Sequence, residues 1–320
     1  MKRILLIFAL ILTLSAACFT FTACGDENDD VENDNSREGL VFAPNYDGTC
    51  YVADIGTCTD TDIVIPSVSP EGWKVTSIGE RAFYNCSSLK SVTIPDSVTS
   101  IGHYAFDYCT SLTSVTIPDR VTSIGHYAFD YCTSLTSVTI GNSVTSIGNY
   151  AFDDCYKLVE VIDLSSLNIT KGSYSNGYAG YYAIEVHKGE SKIVNYNDYL
   201  FYTYDGVNYL LGYVGEDTAL VLPESYKGEN YEIYNCAFYE RDDITGVAIP
   251  DSVTSIGYYA FWGCTSLTSV TIPDSVTSIG DWAFYGCTSL TIYCEAASQP
   301  SGWISSWNYS NRPVVWGYKG

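Results

Sequence analysis

Basic residues are scarce in this chain: 15 Lys and Arg stand against 37 Asp and Glu, a formal net charge of −22. Nucleic-acid binding needs a basic footprint that displaces counterions from phosphates, so this balance excludes that class and a polybasic membrane contact with it. Histidine is scarcer still, limited to His103, His126 and His187. No Gly-x-Ser-x-Gly elbow, phosphate loop or His-Glu-x-x-His pair occurs, which removes the usual signatures of serine hydrolases, NTPases and zinc peptidases. Twelve cysteines contain no Cys-x-x-Cys pair, so a structural zinc site is not expected. Carboxylates are plentiful, yet they concentrate near the N-terminus, in turns and in variable repeat positions, where solvation is their ordinary role. The expectation is a protein that is not an enzyme and holds neither cofactor nor resident metal.

Long hydrophobic runs are also missing. The apolar stretch Ile4 to Leu14 has eleven residues, whereas a membrane span needs about 20. With Lys2 and Arg3 before it and small residues after it, residues 1–23 read as a removable secretory leader. The segment Phe21-Thr22-Ala23-Cys24-Gly25 resembles a bacterial lipobox, with Phe21 in place of the usual leucine, and implies a lipid anchor on Cys24. Cys18 is a second candidate, and plain secretion after a small-residue site is the alternative. Each buried acyl CH₂ supplies about 0.8 kcal/mol, so a multiply acylated cysteine holds a protein on a membrane. Residues 24–38 are acidic and polar, with almost nothing to bury, and read as a disordered tether. Acidic residues directly after such a cysteine resemble the signal that sends some Gram-negative lipoproteins to the outer face. Without the leader, 37 acidic residues face 13 basic ones, a net charge near −24.

What the chain does have is a repeat. Ser100 to Thr122 and Ser123 to Thr145 differ at only three positions, and an Ala-Phe pair recurs at Ala82, Ala105, Ala128, Ala151, Ala237, Ala260 and Ala283. Within each block the step is 23 residues. Val115 and Ile117 alternate with polar neighbours, as in a strand with one buried face, and Pro118-Asp119 ends it. Ile124, Ala128, Phe129 and Cys132 fall at i, i+4, i+5 and i+8, which predicts one or two helical turns. A unit this small cannot bury its own apolar side, so stacked units must share a continuous core. The expected class is a mixed α/β solenoid.

The pattern I-G-x-x-A-F-x-x-C-x-S-L-x-x-V-x-I-P resembles the BspA-like class of bacterial leucine-rich repeats, over Val75 to Leu158 and again up to Leu290. The tail Ser298 to Gly320, with Trp303, Trp307 and Trp316, is similar to the tail such proteins use and reads as a cap on the last open edge. Between the blocks, Val159 to Tyr234 breaks the period and holds 13 of the 29 tyrosines. Two hairpins are predicted, one around Asp47-Gly48 and one around Asp205-Gly206, because Asp-Gly suits a two-residue turn with positive φ. The chain is thus divided into a hairpin cap at 39–74, repeats at 75–158, an insert at 159–234, repeats at 235–297 and a cap at 298–320. The resemblance implies a surface protein that attaches to host matrix or other cells.

Candidate sites follow from the repeat slots. Cys86, Cys109, Cys132, Cys155, Cys264 and Cys287 share one slot and read as a ladder of buried free thiols, while Cys50 and Cys58 form the better disulfide candidate. Arg241 takes the cysteine slot of one unit, where burial without a partner would be costly, so a distorted or solvent-reaching turn is expected. His103 and His126 each precede an aspartate, Asp107 or Asp130, by four residues, which a helix would place together; duplication of the unit explains the pairs without a metal. The outward strand positions are a ladder of Ser and Thr. The turns display Tyr104, Tyr127, Tyr150, Tyr259, Trp262 and Trp282, candidates for a protein or glycan surface, or else covers between rungs. Partner binding by an adhesin-like, outer-membrane-anchored surface protein is the leading reading, ahead of glycan capture and of a purely structural envelope role.

Overall fold

The structure, a computed structural model, describes residues 39–319, so the expected leader 1–23, the Cys24 anchor and the tether 24–38 lie outside the described residues. The chain winds into coils that each contribute two strands. The predicted strand is present as Ser91–Thr93, Ser114–Ile117 and Ser137–Ile140, paired in parallel with Ser114 opposite Ser137 and Ile117 opposite Ile140. A second, shorter strand follows in each coil, as Ser100–Ile101, Ser123–Ile124 and Ser146–Ile147. Two sheets therefore run along each block, one of long strands and one of short strands.

The mixed α/β expectation is corrected by this structure: among the described residues the only helical segment is a 3₁₀ turn at Asn176–Tyr178, and the fold is a β-solenoid. The reason lies in where the backbone of the presumed helix sends its hydrogen bonds. The amides of Tyr104, Phe106 and Tyr108 donate to the carbonyls of His126, Ala128 and Asp130 in the next coil, at 3.0, 2.7 and 3.0 Å. Tyr104 and Tyr108 also sit at φ of 56° and 60°, and Tyr127 and Tyr131 repeat this at 56° and 54°. A right-handed helix needs negative φ and i−4 acceptors, so two left-handed residues per coil exclude it. The i, i+4, i+5, i+8 pattern comes from a double turn that returns its apolar side chains to the core.

Those side chains pack in columns. Phe83, Phe106, Phe129 and Phe152 are fully buried and stack ring on ring at 4.9, 5.0 and 5.2 Å, close to the ~4.8 Å between neighbouring strands. Phe238, Phe261 and Phe284 repeat the column at 5.0 and 5.3 Å. The cysteine slot does more than fill space: the thiols of Cys109, Cys132 and Cys155 donate to the carbonyls of Phe83, Phe106 and Phe129, at 3.2, 3.2 and 3.1 Å. Threonines tie the coils the same way, with Thr99, Thr122 and Thr145 Oγ1 each donating to the carbonyl one coil back. All ten cysteines among the described residues are free, Cys50 and Cys58 included, and Cys50 Sγ turns to the Trp73 carbonyl at 3.6 Å. The expected Cys50–Cys58 bridge is absent here. Burial pushes the Cys132 and Cys155 thiols up, which suppresses the reactive thiolate. Thiol labelling of the native protein should therefore reach Cys86, the half-buried one, well before the other nine. Cys132→Ala, which removes both the donor and its volume, is expected to lower stability by about 1–2 kcal/mol in a urea titration.

Both predicted hairpins form. Tyr199–Tyr204 pairs with Val207–Tyr213 through Asp205 and Gly206 at φ of 49° and 79°, the signature of a type I′ turn. Val41–Pro44 pairs with Thr49–Asp54 through a longer loop at Asn45–Gly48. The first hairpin heads the short-strand sheet of block one, and the second lies in that of block two just inside its edge strand Val194–Tyr196. The long-strand sheet of block one runs past residue 158, adding Glu160–Asp163 and Glu185–His187 in parallel. Two large cores result, one ending at Ala183 and one starting at Tyr199, with Val159, Ile184, Tyr202 and Leu211 packed between them. Lys157 crosses this seam, its buried ammonium donating to the Ala237 carbonyl at 2.9 Å. The last coil closes with Val314–Trp316 paired in parallel to Thr291–Cys294, over buried Trp303 and Trp307.

Candidate functional site

The six candidate aromatics resolve into columns along the turn side of the solenoid. Tyr104, Tyr127 and Tyr150 stack at 5.0 and 5.1 Å, with interplanar angles of 2° and 18°. The column continues to Tyr178 at 5.4 Å and is closed at its other end by the Arg81 guanidinium, 4.9 Å over the Tyr104 ring. In block two Tyr259 and Trp282 form the equivalent pair, 5.3 Å apart. Trp262 belongs to a second column, between Tyr239 and Tyr285 at 6.2 and 4.2 Å. In block one Tyr108 and Tyr131 stack at 4.7 Å in the next slot along the turn, which block two fills with Gly263 and Gly286.

The backbone explains why the rings stand this way. Tyr104, Tyr127, Tyr150, Tyr259 and Trp282 occupy one left-handed slot, with φ between 52° and 59°. Identical φ in successive coils gives identical side-chain directions, so parallel rings follow from the 23-residue translation. Stacked rings cover each other's faces and leave their edges to solvent. What the column offers a partner is a row of phenolic hydroxyls.

His103 and His126 border the same surface, in a shallow cleft of about 410 Å³ shared with Glu80 and Asn149. Their rings stack at 5.0 Å. His103 Nδ1 accepts the His126 amide at 2.9 Å and His126 Nδ1 accepts the Asn149 amide at 2.8 Å, so in the neutral rings the proton sits on Nε2. The expected alignment of each histidine with its aspartate does not occur: the histidines are exposed, while Asp107 is only 4% exposed. Among the described residues no group of three or more His, Cys, Asp or Glu is placed to hold a metal ion.

Asp107 and Asp130 each leave one buried carboxylate oxygen without a partner. Desolvation pushes Asp107 up to about 6 and Asp130 up to about 7, the latter aided by Asp107 itself. Arg241 is the opposite case. Its guanidinium pairs with both Asp243 oxygens, at 2.7 and 2.8 Å, and donates to the Tyr213 carbonyl at 2.7 Å, so the charge reaches partners at the rim instead of entering the core.

The sequence reading passed over a second surface, on the outer face of the long-strand sheet. Glu160 stands in register with Ser137 and Ser114, yet it is fully buried. Its carboxylate accepts the Ser137 hydroxyl at 3.0 Å, the Lys192 amide at 2.7 Å and the Ser191 hydroxyl at 2.5 Å, and it contacts His187 Nε2 at 3.0 Å. Four contacts saturate the anion and fasten the 187–192 loop across the sheet. A glutamate in a serine slot was the available signal.

Two parallel sheets, stacked phenylalanines and a double turn in every coil define a leucine-rich-repeat solenoid, a scaffold that presents long surfaces. The chain belongs to the BspA type leucine rich repeat family, which it matches in six copies over residues 58–205 and 231–299. Among solved structures it is similar to the leucine rich repeat protein of T. pallidum, 25% identical over 78% of this chain and 87% of that one, with a TM-score of 0.37. A leucine rich cell surface protein from Faecalibacterium prausnitzii is 24% identical, with 92% and 96% covered and a TM-score of 0.34. A leucine-rich repeat protein from Bacteroides capillosus is 27% identical, with 47% and 94% covered and a TM-score of 0.35. No curated protein matches the chain.

Proposed function

We propose that this chain is an exported, lipid-anchored surface protein that binds a protein partner on host or bacterial surfaces, in the manner of an adhesin, through the turn side of its solenoid. The observation that carries the reading is the aromatic column at Tyr104, Tyr127 and Tyr150, with its equivalent pair Tyr259 and Trp282 in block two and Trp262 in the column beside it. Rings with one wet, hydroxyl-bearing edge supply contact area and hydrogen bonds at little entropic cost, as protein interfaces favour. Membership of a repeat family supports a binding scaffold, and the leader-like composition of residues 1–23 supports export. The stacking counts against glycan capture, because a sugar docks on a ring face and here the faces are taken by neighbouring rings.

The test is retention of matrix proteins and bacterial surfaces by the purified protein, compared with the double variant Tyr104→Asn and Tyr127→Asn. Asparagine tolerates the left-handed backbone, so melting should change little while binding falls at least tenfold. Undiminished binding sinks the aromatic surface, and a glycan array that responds only when the rings are intact restores the sugar reading. Cys24→Ala should release the protein from membranes, and protease added to intact cells should degrade the wild type. Continued membrane retention of the variant defeats the anchor.

A further inference from the structure

We propose a second binding site, sharing no residue with the aromatic columns: a neutral cleft that takes an extended polypeptide segment by strand addition. Its floor is the outer face of the long-strand sheet, where Ser114, Thr116 and Thr139 present hydroxyls. Its wall is built by the insert, with Ile193, Asn195 and Val214. Between floor and wall lies a cleft of about 490 Å³. The Glu160 contacts hold that wall in place, since Ser191 and Lys192 immediately precede Ile193.

The chemistry of the lining selects the occupant. None of its side chains is charged, in a chain carrying a net −22. No cation lines it for an anionic ligand: Lys192, beside the lining, is paired with Glu185 at 2.6 Å, and Glu160 is saturated by its own contacts. Aromatic side chains are absent as well, so a sugar ring has nothing to stack on. Hydroxyls, one amide and branched aliphatics suit a peptide with small or β-branched uncharged side chains.

The backbone points the same way. The wall contains the strand Val194–Tyr196, which pairs on one side only, with Val194 opposite Phe201 and Tyr196 opposite Tyr199. It is the edge of its sheet, all three residues are exposed, and it carries neither the lysine nor the proline that protects many edges. One row of its amides and carbonyls is therefore open to a further strand. A strand paired along it has alternate side chains about 6.6 Å apart, the repeat of Ser114 and Thr116 on the floor. Asp198, Glu216 and Asp217 are exposed on the segments flanking Tyr196 and Val214, which favours basic residues just outside the buried part of the segment.

The experiment is to pan a phage-displayed library of random linear heptapeptides against the full-length protein and to measure synthetic copies of the enriched peptides. The expected outcome is alternating small and β-branched residues with a flanking Lys or Arg, and protection of the Val194–Tyr196 amides from hydrogen exchange on binding. Ser114→Trp or Thr116→Arg, both at exposed floor positions that need not disturb the fold, should each weaken binding at least tenfold. Tyr104→Asn with Tyr127→Asn should leave it unchanged, which separates this site from the aromatic surface. Failure to enrich such peptides, or equal binding to the floor variants, overturns the proposal, as does preference for neutral oligosaccharides over peptides.

Discussion

Gly125→Ala is expected to lower the melting temperature by roughly 10 °C, through a loss of about 3 kcal/mol from overpacking in a rigid stack. A Cβ built on Gly125 would lie 2.6 Å from the carbonyl carbon and oxygen of Gly102 and 2.6 Å from the His103 nitrogen. All three contacts are backbone atoms, and they are held in place because the Gly125 amide donates to the Ile101 carbonyl at 2.9 Å. No side chain is available to swing aside. Gly125 does not have the positive φ that glycine alone tolerates, so the demand for glycine here is purely one of coil-to-coil distance. Gly102, Gly148, Gly257 and Gly280 meet the neighbouring coil in the same way, at 2.5 to 2.7 Å. Gly246→Ala is the control, since nothing lies within 4 Å of where its methyl group would stand and its φ is ordinary; its melting should stay at or slightly above that of the wild type. If Gly125→Ala melts with the wild type by circular dichroism, the stack is looser than its hydrogen bonds indicate.

How far the sequence carried this fold can be judged from that same repeat. Alternation of Val115 and Ile117 with serine and threonine placed the long strand and its buried face correctly, because period two has one simple reading and 23-residue copies reinforce it. The return side of the coil misled. Ile124, Ala128, Phe129 and Cys132 have helical spacing, yet the chain meets that spacing with two left-handed turns whose amides serve the next coil. Tyrosine does not announce positive φ. The clue lay in comparing blocks, since the slot of Tyr108 and Tyr131 is filled by Asn85 in the first unit and by Gly263 and Gly286 in the last two, with φ of 59°, 72° and 78°. The candidate aromatics were legible as a repeated surface feature, but whether rings show faces or edges depends on backbone direction, which composition does not carry. The cleft was illegible for another reason: its floor and wall are about 80 residues apart in sequence, and only Glu160, breaking a run of serines, marked the place where they meet.

Raising the pH from about 5 to 8 is expected to destabilise the protein by about 3 kcal/mol, with the buried aspartates of block one as the main cause. Asp107 is held up at about 6 and Asp130 at about 7, by desolvation first in both cases, against an ordinary value of 3.8. For an acid whose folded value is raised, the unfolded chain releases its proton first as pH rises. The stabilisation is therefore complete below about 4 and is lost as pH passes through the folded values of 6 and 7. At 1.36 kcal/mol per unit the two shifts suggest about 7 kcal/mol in total, but mutual coupling and the partial exposure of Asp130 reduce what is realised. Burial raises Asp153, Glu232 and Glu240 as well, so they act in the same direction. The lowered carboxylates Asp47, Asp62, Glu185 and Asp243 act below about pH 5, outside this window. Lys157, pulled down by burial to about 8, has the reverse effect only above that pH, where the unfolded chain holds the extra proton. Asp107→Asn with Asp130→Asn should flatten the urea-midpoint profile between pH 5 and 8 and raise stability at pH 8, because an amide in those slots has no charge to desolvate. A wild-type profile that is level or rising across this interval would show that the carboxylates are ionised and solvated in the folded protein, with water reaching the oxygens that lack a protein partner.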